Sequence, residues 1–199
     1  ENFEVSTAET GDKKLKLGYF EGLYNKRNDL EILMPALGKD SKNVEVSAKK
    51  KWSILSSNFC DIKILKNHID KYIEHSGLEK RKAMQKIFVS RFIFVCENEK
   101  EVDKYLFSND SPYMFMINVI FKKLKKANKH NIFGENLSNI KEIAKNIIIY
   151  GKPSTVEEKI SEIKQKVGNF RSLIYPSTSW ANNKIFDNSL ELYGNEVSF

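Results

Sequence analysis

Residues 87–95 read Ile87-Phe88-Val89-Ser90-Arg91-Phe92-Ile93-Phe94-Val95. β-Branched and aromatic side chains dominate this run, and both suit a pleated strand. The apolar character is almost continuous rather than alternating. Strands of that kind are covered on both faces, as in parallel sheets. The run predicts one strand over 87–96.

Upstream, Trp52-Ser53-Ile54-Leu55 predicts a strand near 52–57 that ends in Ser56-Ser57-Asn58. Leu30-Glu31-Ile32-Leu33-Met34, stopped by Pro35, predicts another near 30–35. Gly38-Lys39-Asp40-Ser41-Lys42-Asn43 is a turn in which Asp40 or Ser41 is placed to cap a helix with Val44 and Ala48 inward. Asp61 caps a helix that carries Ile62, Leu65, Ile69 and Ile73 on one face and stops at Gly77. Residues 1–29 read as an irregular lead-in.

Downstream, Asn98 and Glu101 form an N-cap pair. Residues 111–128 read as a helix with Met114, Ile117, Ile120, Phe121 and Leu124 inward and a lysine run outward. Residues 137–149 continue as helix, although Ile147-Ile148-Ile149-Tyr150 suits extended chain equally well. Ser154 and Glu157 match a capping box for a helix lined by Val156, Ile160, Ile163 and Val167 and ended by Gly168. A last strand spans 170–175, and a final helix covers 184–197.

Strand and helix therefore alternate, which means parallel pairing through right-handed crossovers. The predicted fold class is α/β, with about four β/α units over 30–199 in a single domain spanning 1–199. Four units are an open sheet or half of a (β/α)8 barrel, which typically needs about 250 residues.

Composition narrows the function classes. Lysine and arginine number 33 against 26 acidic residues, a net charge of +7. The excess is mostly lysine spread along the chain, whereas nucleic-acid readers concentrate arginine and exposed aromatics, so a nucleic-acid partner is disfavoured. No run approaches the roughly 18 apolar residues of a membrane span. Glu1-Asn2-Phe3-Glu4 lacks a signal-peptide pattern, and the start reads as processed, trimmed or internal to a longer chain. Cys60 and Cys96 form no metal or disulfide spacing, and a reducing cytoplasm is the expected setting. No metal site is expected.

Ligands of parallel α/β folds bind at the carboxyl ends of strands. Of the segments this selects, 36–43 is the most informative. Gly38 permits a close turn, Ser41 and Asn43 offer side-chain donors, and Lys39 and Lys42 add charge beside the free N–H groups of a helix start. That is the chemistry of a phosphate cradle, and also of an ordinary capped turn. Ser57 and Asn58, with Ser56, either bond a heterocycle or form a polar turn. Cys96 either lines a pocket or is an inert buried thiol. Trp180 either covers a pocket mouth or anchors the last helix. His68 and His75 are seven apart, not at metal-ligand spacing, and with His130 read as surface residues. The face carrying Lys122, Lys123, Lys125 and Lys126 reads as solvated.

Several of these stretches together resemble the bacterial luciferase-like flavin monooxygenase family, in its C-terminal half. Ile32-Leu33-Met34-Pro35-Ala36-Leu37-Gly38-Lys39-Asp40-Ser41-Lys42-Asn43, with Ala48 and Trp52, is similar to the family's strand, serine turn and helix. Arg91-Phe92-Ile93-Phe94-Val95 with Glu97 and Glu99 resembles an R-x-I-x-V-A-x-T strand. Tyr150-Gly151-Lys152-Pro153-Ser154-Thr155-Val156 resembles a G-T-P-x-x-V helix entry. Trp180, Ser189-Leu190-Glu191-Leu192 and Glu196-Val197 resemble the closing helix. Lys51 and Lys152 depart from the pattern, which has glycine and threonine at those places.

The resemblance implies the C-terminal half of a TIM (β/α)8 barrel that binds FMN, reduced by a flavin reductase, and oxygenates a small organic substrate with O2 through a peroxyflavin. It places Gly38, Ser41 and Asn43 at the flavin phosphate, where the charges of Lys39 and Lys42 read from the residues would join them, and leaves catalytic residues to the N-terminal half. Deazaflavin F420 is the alternative cofactor. The implied partners are that N-terminal half or a second subunit, and the reductase. A non-catalytic flavin-binding or assembly subunit is the alternative function, ahead of a basic nucleic-acid-binding domain.

Overall fold

The computed structural model describes residues 3–5, 15–17, 31–128, 130–134, 139–176 and 183–198. They fall in two compact units, Glu1–Ile32 and Leu33–Phe199. In the first, β1 (Phe3–Val5) pairs antiparallel with β2 (Leu15–Leu17), Phe3 opposite Leu17 and Val5 opposite Leu15. Each strand reads apolar, charged, apolar, the period-two alternation of a ladder. The stretch expected to be irregular therefore contains a short strand pair.

The second unit runs β3 (Leu33–Ala36), α1 (Lys42–Lys50), β4 (Ser53–Ser56), α2 (Ile62–Ser76), α3 (Lys80–Met84), β5 (Ile87–Ser90) and β6 (Phe92–Val95). It continues with α4 (Glu99–Val102), a π-helical turn at Asp103–Phe107, α5 (Pro112–Lys126) and α6 (Ile140–Ile147). The chain closes with β7 (Ile148–Gly151), α7 (Pro153–Val167), β8 (Ser172–Ile174) and α8 (Asn183–Glu196). One sheet has the order β3-β4-β5-β8 and a second pairs β6 with β7; every pairing in both is parallel.

The run 87–95 is not one uninterrupted strand. It breaks at Arg91, whose backbone N–H still donates to the Ile174 carbonyl at 3.0 Å. Its first half is flanked by β4 and β8, its second half by β7. Alternate residues face opposite ways. Ile87 and Val89 pack with Val44 and Ala48 of α1 and Leu65, Ile69 and Tyr72 of α2. Ile93 and Val95 pack with Val156 and Ile160 of α7. Phe92 and Phe94 meet Ile117 of α5 and Ile143 and Ile147 of α6 on the other face. Helices thus cover both faces of β6, which is why its pattern lacks polar alternation.

Local signals explain most boundaries. Asp61 caps α2 by accepting from the Ile64 N–H at 2.9 Å. Ser111 caps α5 through the N–H groups of Tyr113 and Met114 at 3.2 and 3.3 Å. The Ser154–Glu157 capping box does not form. Pro153 starts α7 two residues earlier, with Lys152 in place of Ser154 as N-cap, because its fixed φ and missing N–H suit a first helical position. Glu157 instead accepts from the N–H and hydroxyl of Ser198 at 2.6 and 2.9 Å. The ambiguous stretch after α6 resolves as strand β7, in keeping with its β-branched isoleucines.

Two backbone positions stand out. Lys51 ends α1 in the left-handed region, with φ 56°. Gly151 ends β7 at φ 136°, and a Cβ there would sit 2.9 Å from Thr155 Cγ2.

Candidate functional site

The turn after β3 sits at the carboxyl end of a parallel strand and opens α1. The Ser41 N–H donates to the Gly38 carbonyl at 3.0 Å, and Val44 N–H to the Ser41 carbonyl at 3.1 Å, which closes the turn onto the helix. Ser41 occupies the N-cap position in extended conformation, yet its hydroxyl makes no capping bond. The first N–H groups of a helix have no intrahelical acceptor, so the turn presents donors outward. Lys39 and Lys42 are exposed beside it. A Cβ at Gly38 would meet nothing within 4 Å, so open space adjoins the backbone there. Asn43 faces back into the fold: its Nδ2 donates to the Pro35 carbonyl at 2.8 Å. Lys71 from α2 ties the turn down, donating to Asp40 Oδ1 at 3.0 Å and the Lys39 carbonyl at 3.3 Å.

Behind the turn lies a buried polar set. His68 is fully buried. Its Nε2 lies 2.8 Å from the Gly38 carbonyl and its Nδ1 3.0 Å from Ser56 Oγ. A carbonyl only accepts, so Nε2 carries the proton and the neutral ring accepts the Ser56 hydroxyl proton at Nδ1. Burial pushes its pKa below the usual imidazole value, consistent with that neutral state. Cys60 donates from Sγ to the Leu37 carbonyl at 2.7 Å, and burial pushes its thiol up to about 12. It is a neutral structural thiol rather than a nucleophile.

Arg91 completes the set. Its Nη1 donates to the carbonyls of Ser57 at 3.1 Å and Ser90 at 2.9 Å, clamping the end of β4 to the break in the 87–95 run. Burial lowers its pKa to about 10, which leaves it charged at neutral pH.

The remaining expected site residues are dispersed. Ser57 and Asn58 are half-buried in the turn after β4, where the Ser57 hydroxyl accepts from the Phe59 N–H at 3.3 Å. Cys96 is buried at the end of β6, donating to the Asn98 carbonyl at 3.4 Å, and borders a polar cleft of about 440 Å³ with Glu97, Glu101 and Glu191. Trp180 lies outside the described residues. Among the described residues no group of histidine, cysteine and acidic side chains is arranged to hold a metal. No helix among them is long and apolar enough to cross a membrane.

The sequence matches no protein-family model and no curated protein. Solved structures do resemble it. One is the oxygenating constituent of 3,6-diketocamphane monooxygenase from the CAM plasmid of Pseudomonas putida, a type II Baeyer-Villiger monooxygenase in complex with FMN. It aligns at a TM-score of 0.70 and 16% identity over 99% of this chain and 57% of its own. The monooxygenase RslO1 from Streptomyces bottropensis aligns at 0.57 and 13% identity over 92% and 52%. The likeness is one of fold. This chain spans a little over half the length of each neighbour.

His68 is the residue that sequence reading misplaced, since it is buried rather than on the surface. The signal was its position on α2, three residues after Leu65 and four before Tyr72, on the stripe that faces the sheet. Arg91 carried a comparable signal as the one charge inside the apolar run 87–95.

Proposed function

We propose that this chain is the C-terminal, phosphate-binding half of a luciferase-like flavin-dependent monooxygenase barrel, acting on a small organic substrate. The observation that carries the reading is the turn Gly38–Asn43. It joins a parallel strand end, a helix start, a serine hydroxyl without a capping bond, two lysines and open space over a glycine.

That donor set fits the phosphate of FMN. Ser41 Oγ, the N–H groups of Lys42 and Asn43, and the ammonium groups of Lys39 and Lys42 would hold it. Asn43 serves the turn itself through Pro35, so its side-chain part is to shape the cradle. His68 and Lys71 hold the cradle rigid from behind. Reduced FMN, when bound, supplies the electrons for oxygenation by O2; the chain's own residues bind and orient it.

The barrel reading also accounts for the β3 edge. Among the described residues β3 pairs only with β4, and Leu33 and Leu37 stand 39% and 40% exposed. An N-terminal barrel half, as a preceding segment or a second subunit, would cover them.

Fluorescence titration of FMN against the chain tests the reading. Saturable quenching is expected, with riboflavin, which lacks the phosphate, binding about tenfold or more weakly. Equal affinity for the two flavins would remove the phosphate cradle from the proposal.

A further inference from the structure

A separate cavity of about 530 Å³ lies between β6, the π-helical turn, α5 and α8. Its walls include Phe94, Tyr105, Pro112, Tyr113, Ile185 and Phe186. Phe94 and Tyr113 are 2% and 3% exposed, so the floor belongs to the main core. The rings are held in place: Tyr105 lies 6.3 Å from Phe94, and Phe186 meets Tyr175 edge-on at 5.7 Å. The size falls in the range of small-molecule sites, about 300–1,000 Å³.

The polar groups around it are mostly committed. Ser108 Oγ donates to the Lys104 carbonyl at 2.6 Å. Ser111 Oγ donates to the Tyr105 carbonyl at 2.6 Å while capping α5. Lys104 and Asp110 are both exposed and cancel in charge. Lys104 Nζ stands 5.1 Å from the centre of the Tyr105 ring. The π-helical turn that shapes one wall is a rare geometry, frequent at functional sites.

We infer that this cavity is a binding site for a neutral, compact, ring-containing organic molecule with at most one hydroxyl or carbonyl group. Aromatic walls supply the contact area. A charged ligand would lose its hydration against walls that are mainly aromatic and aliphatic, at whose rim the exposed Lys104 and Asp110 leave no net charge. The phenol of Tyr105, which bonds no described residue, is left to meet the single polar group. The inference does not rest on the flavin reading, because it follows from the cavity alone.

The test is a fluorescence titration of the whole chain with 1-aminoanthracene, a neutral polycyclic probe. Wild type is expected to take up the probe saturably, and cyclohexylmethanol to displace it. Ser108→Trp and Ile185→Trp, which fill the cavity from two different walls, are expected to weaken binding about tenfold or more with unchanged circular dichroism. Two folded variants that bind the probe like wild type would overturn the site. Displacement by naphthalenesulfonate but not by cyclohexylmethanol would overturn the ligand class. Ile185 is half-buried, so its variant keeps the test open if Ser108→Trp misfolds.

Discussion

His68 donates from Nε2 to the carbonyl of Gly38 at 2.8 Å, joining the middle of α2 to the turn that opens α1. Removing the ring leaves the buried Ser56 hydroxyl without its imidazole partner and the Gly38 carbonyl with the Ser41 N–H alone. His68→Ala is expected to destabilise the fold by about 2–4 kcal/mol, the sum of a cavity and unmet hydrogen bonds. Urea denaturation measures it; a loss within about 0.5 kcal/mol of zero, the level of an inert surface site, would show that the contact is idle.

The same residue sets a pH dependence. Burial lowers the His68 pKa; the Gly38 carbonyl opposes this, and Lys71 and Arg91 add to it. The folded state therefore binds fewer protons than the unfolded chain, whose imidazole titrates near about 6.5. Its stabilising contribution is full above that value and is lost as pH falls through the lower folded pKa. Melting temperature should drop more steeply between about pH 6.5 and pH 5 in wild type than in His68→Gln, which has no imidazole to titrate. Parallel curves would assign the dependence to other groups.

Ser41→Asp places a carboxylate where the phosphate is proposed to sit. FMN affinity is expected to fall about tenfold or more, corresponding to about 1.4 kcal/mol, while riboflavin affinity changes little. The helix itself should tolerate the change, since aspartate is a favoured N-cap. Unchanged FMN affinity would take Ser41 out of the site.

Lys51 holds a left-handed conformation at φ 56° at the end of α1. A side chain there costs about 1–2 kcal/mol, partly offset because glycine loses more entropy on folding. Lys51→Gly is expected to raise stability by about 0.5–1 kcal/mol, read as a higher denaturation midpoint at unchanged slope. A lower midpoint would mean that the lysine's contacts outweigh the strain.

Ser189 reaches from α8 to the sheet, its Oγ accepting the Val95 N–H at 2.8 Å in a buried setting. Ser189→Ala leaves that N–H without an acceptor and should cost about 1–3 kcal/mol. Hydrogen exchange at Val95 should quicken well beyond that at Ile87. Unaltered protection would show that α8 does not hold the end of β6.

For β3, β4, β8 and the run 87–95, strand identity and parallel pairing are readable because apolar runs of β-branched residues alternate with helical stripes and strong caps; the antiparallel β1–β2 pair and the choice of strand for β7 are not. Asp61, Ser111 and Gly77 mark their helix ends as their chemistry requires. The break at Arg91 was not readable, because it depends on where β7 and β8 dock, and those partners lie more than 50 residues downstream. Helices on both faces of β6 were equally hidden, since periodicity tells that a face is buried but not by what. At the cradle, residue types indicated an anion site, whereas the role of Asn43 as a brace to Pro35 is a property of folded geometry. Spacing to His75 makes His68 read as a surface residue, whereas its place on the helix stripe beside Leu65 and Tyr72 is what buries it.

The divided run at Arg91 bears on how the chain reaches its native state. Its first half needs neighbours near Ile54 and Leu173, and its second half needs Ile149 and then Ser189. Such distant pairings are slow to close, because loop entropy is lost before the contacts form. A ribosome-tethered chain that has emerged only as far as Gly168 would hold β5 with one flank bare and Arg91 without the Ile174 carbonyl. The last 30 or so residues therefore act as the latch of the whole unit, and stalled or C-terminally clipped chains should be the aggregation-prone form.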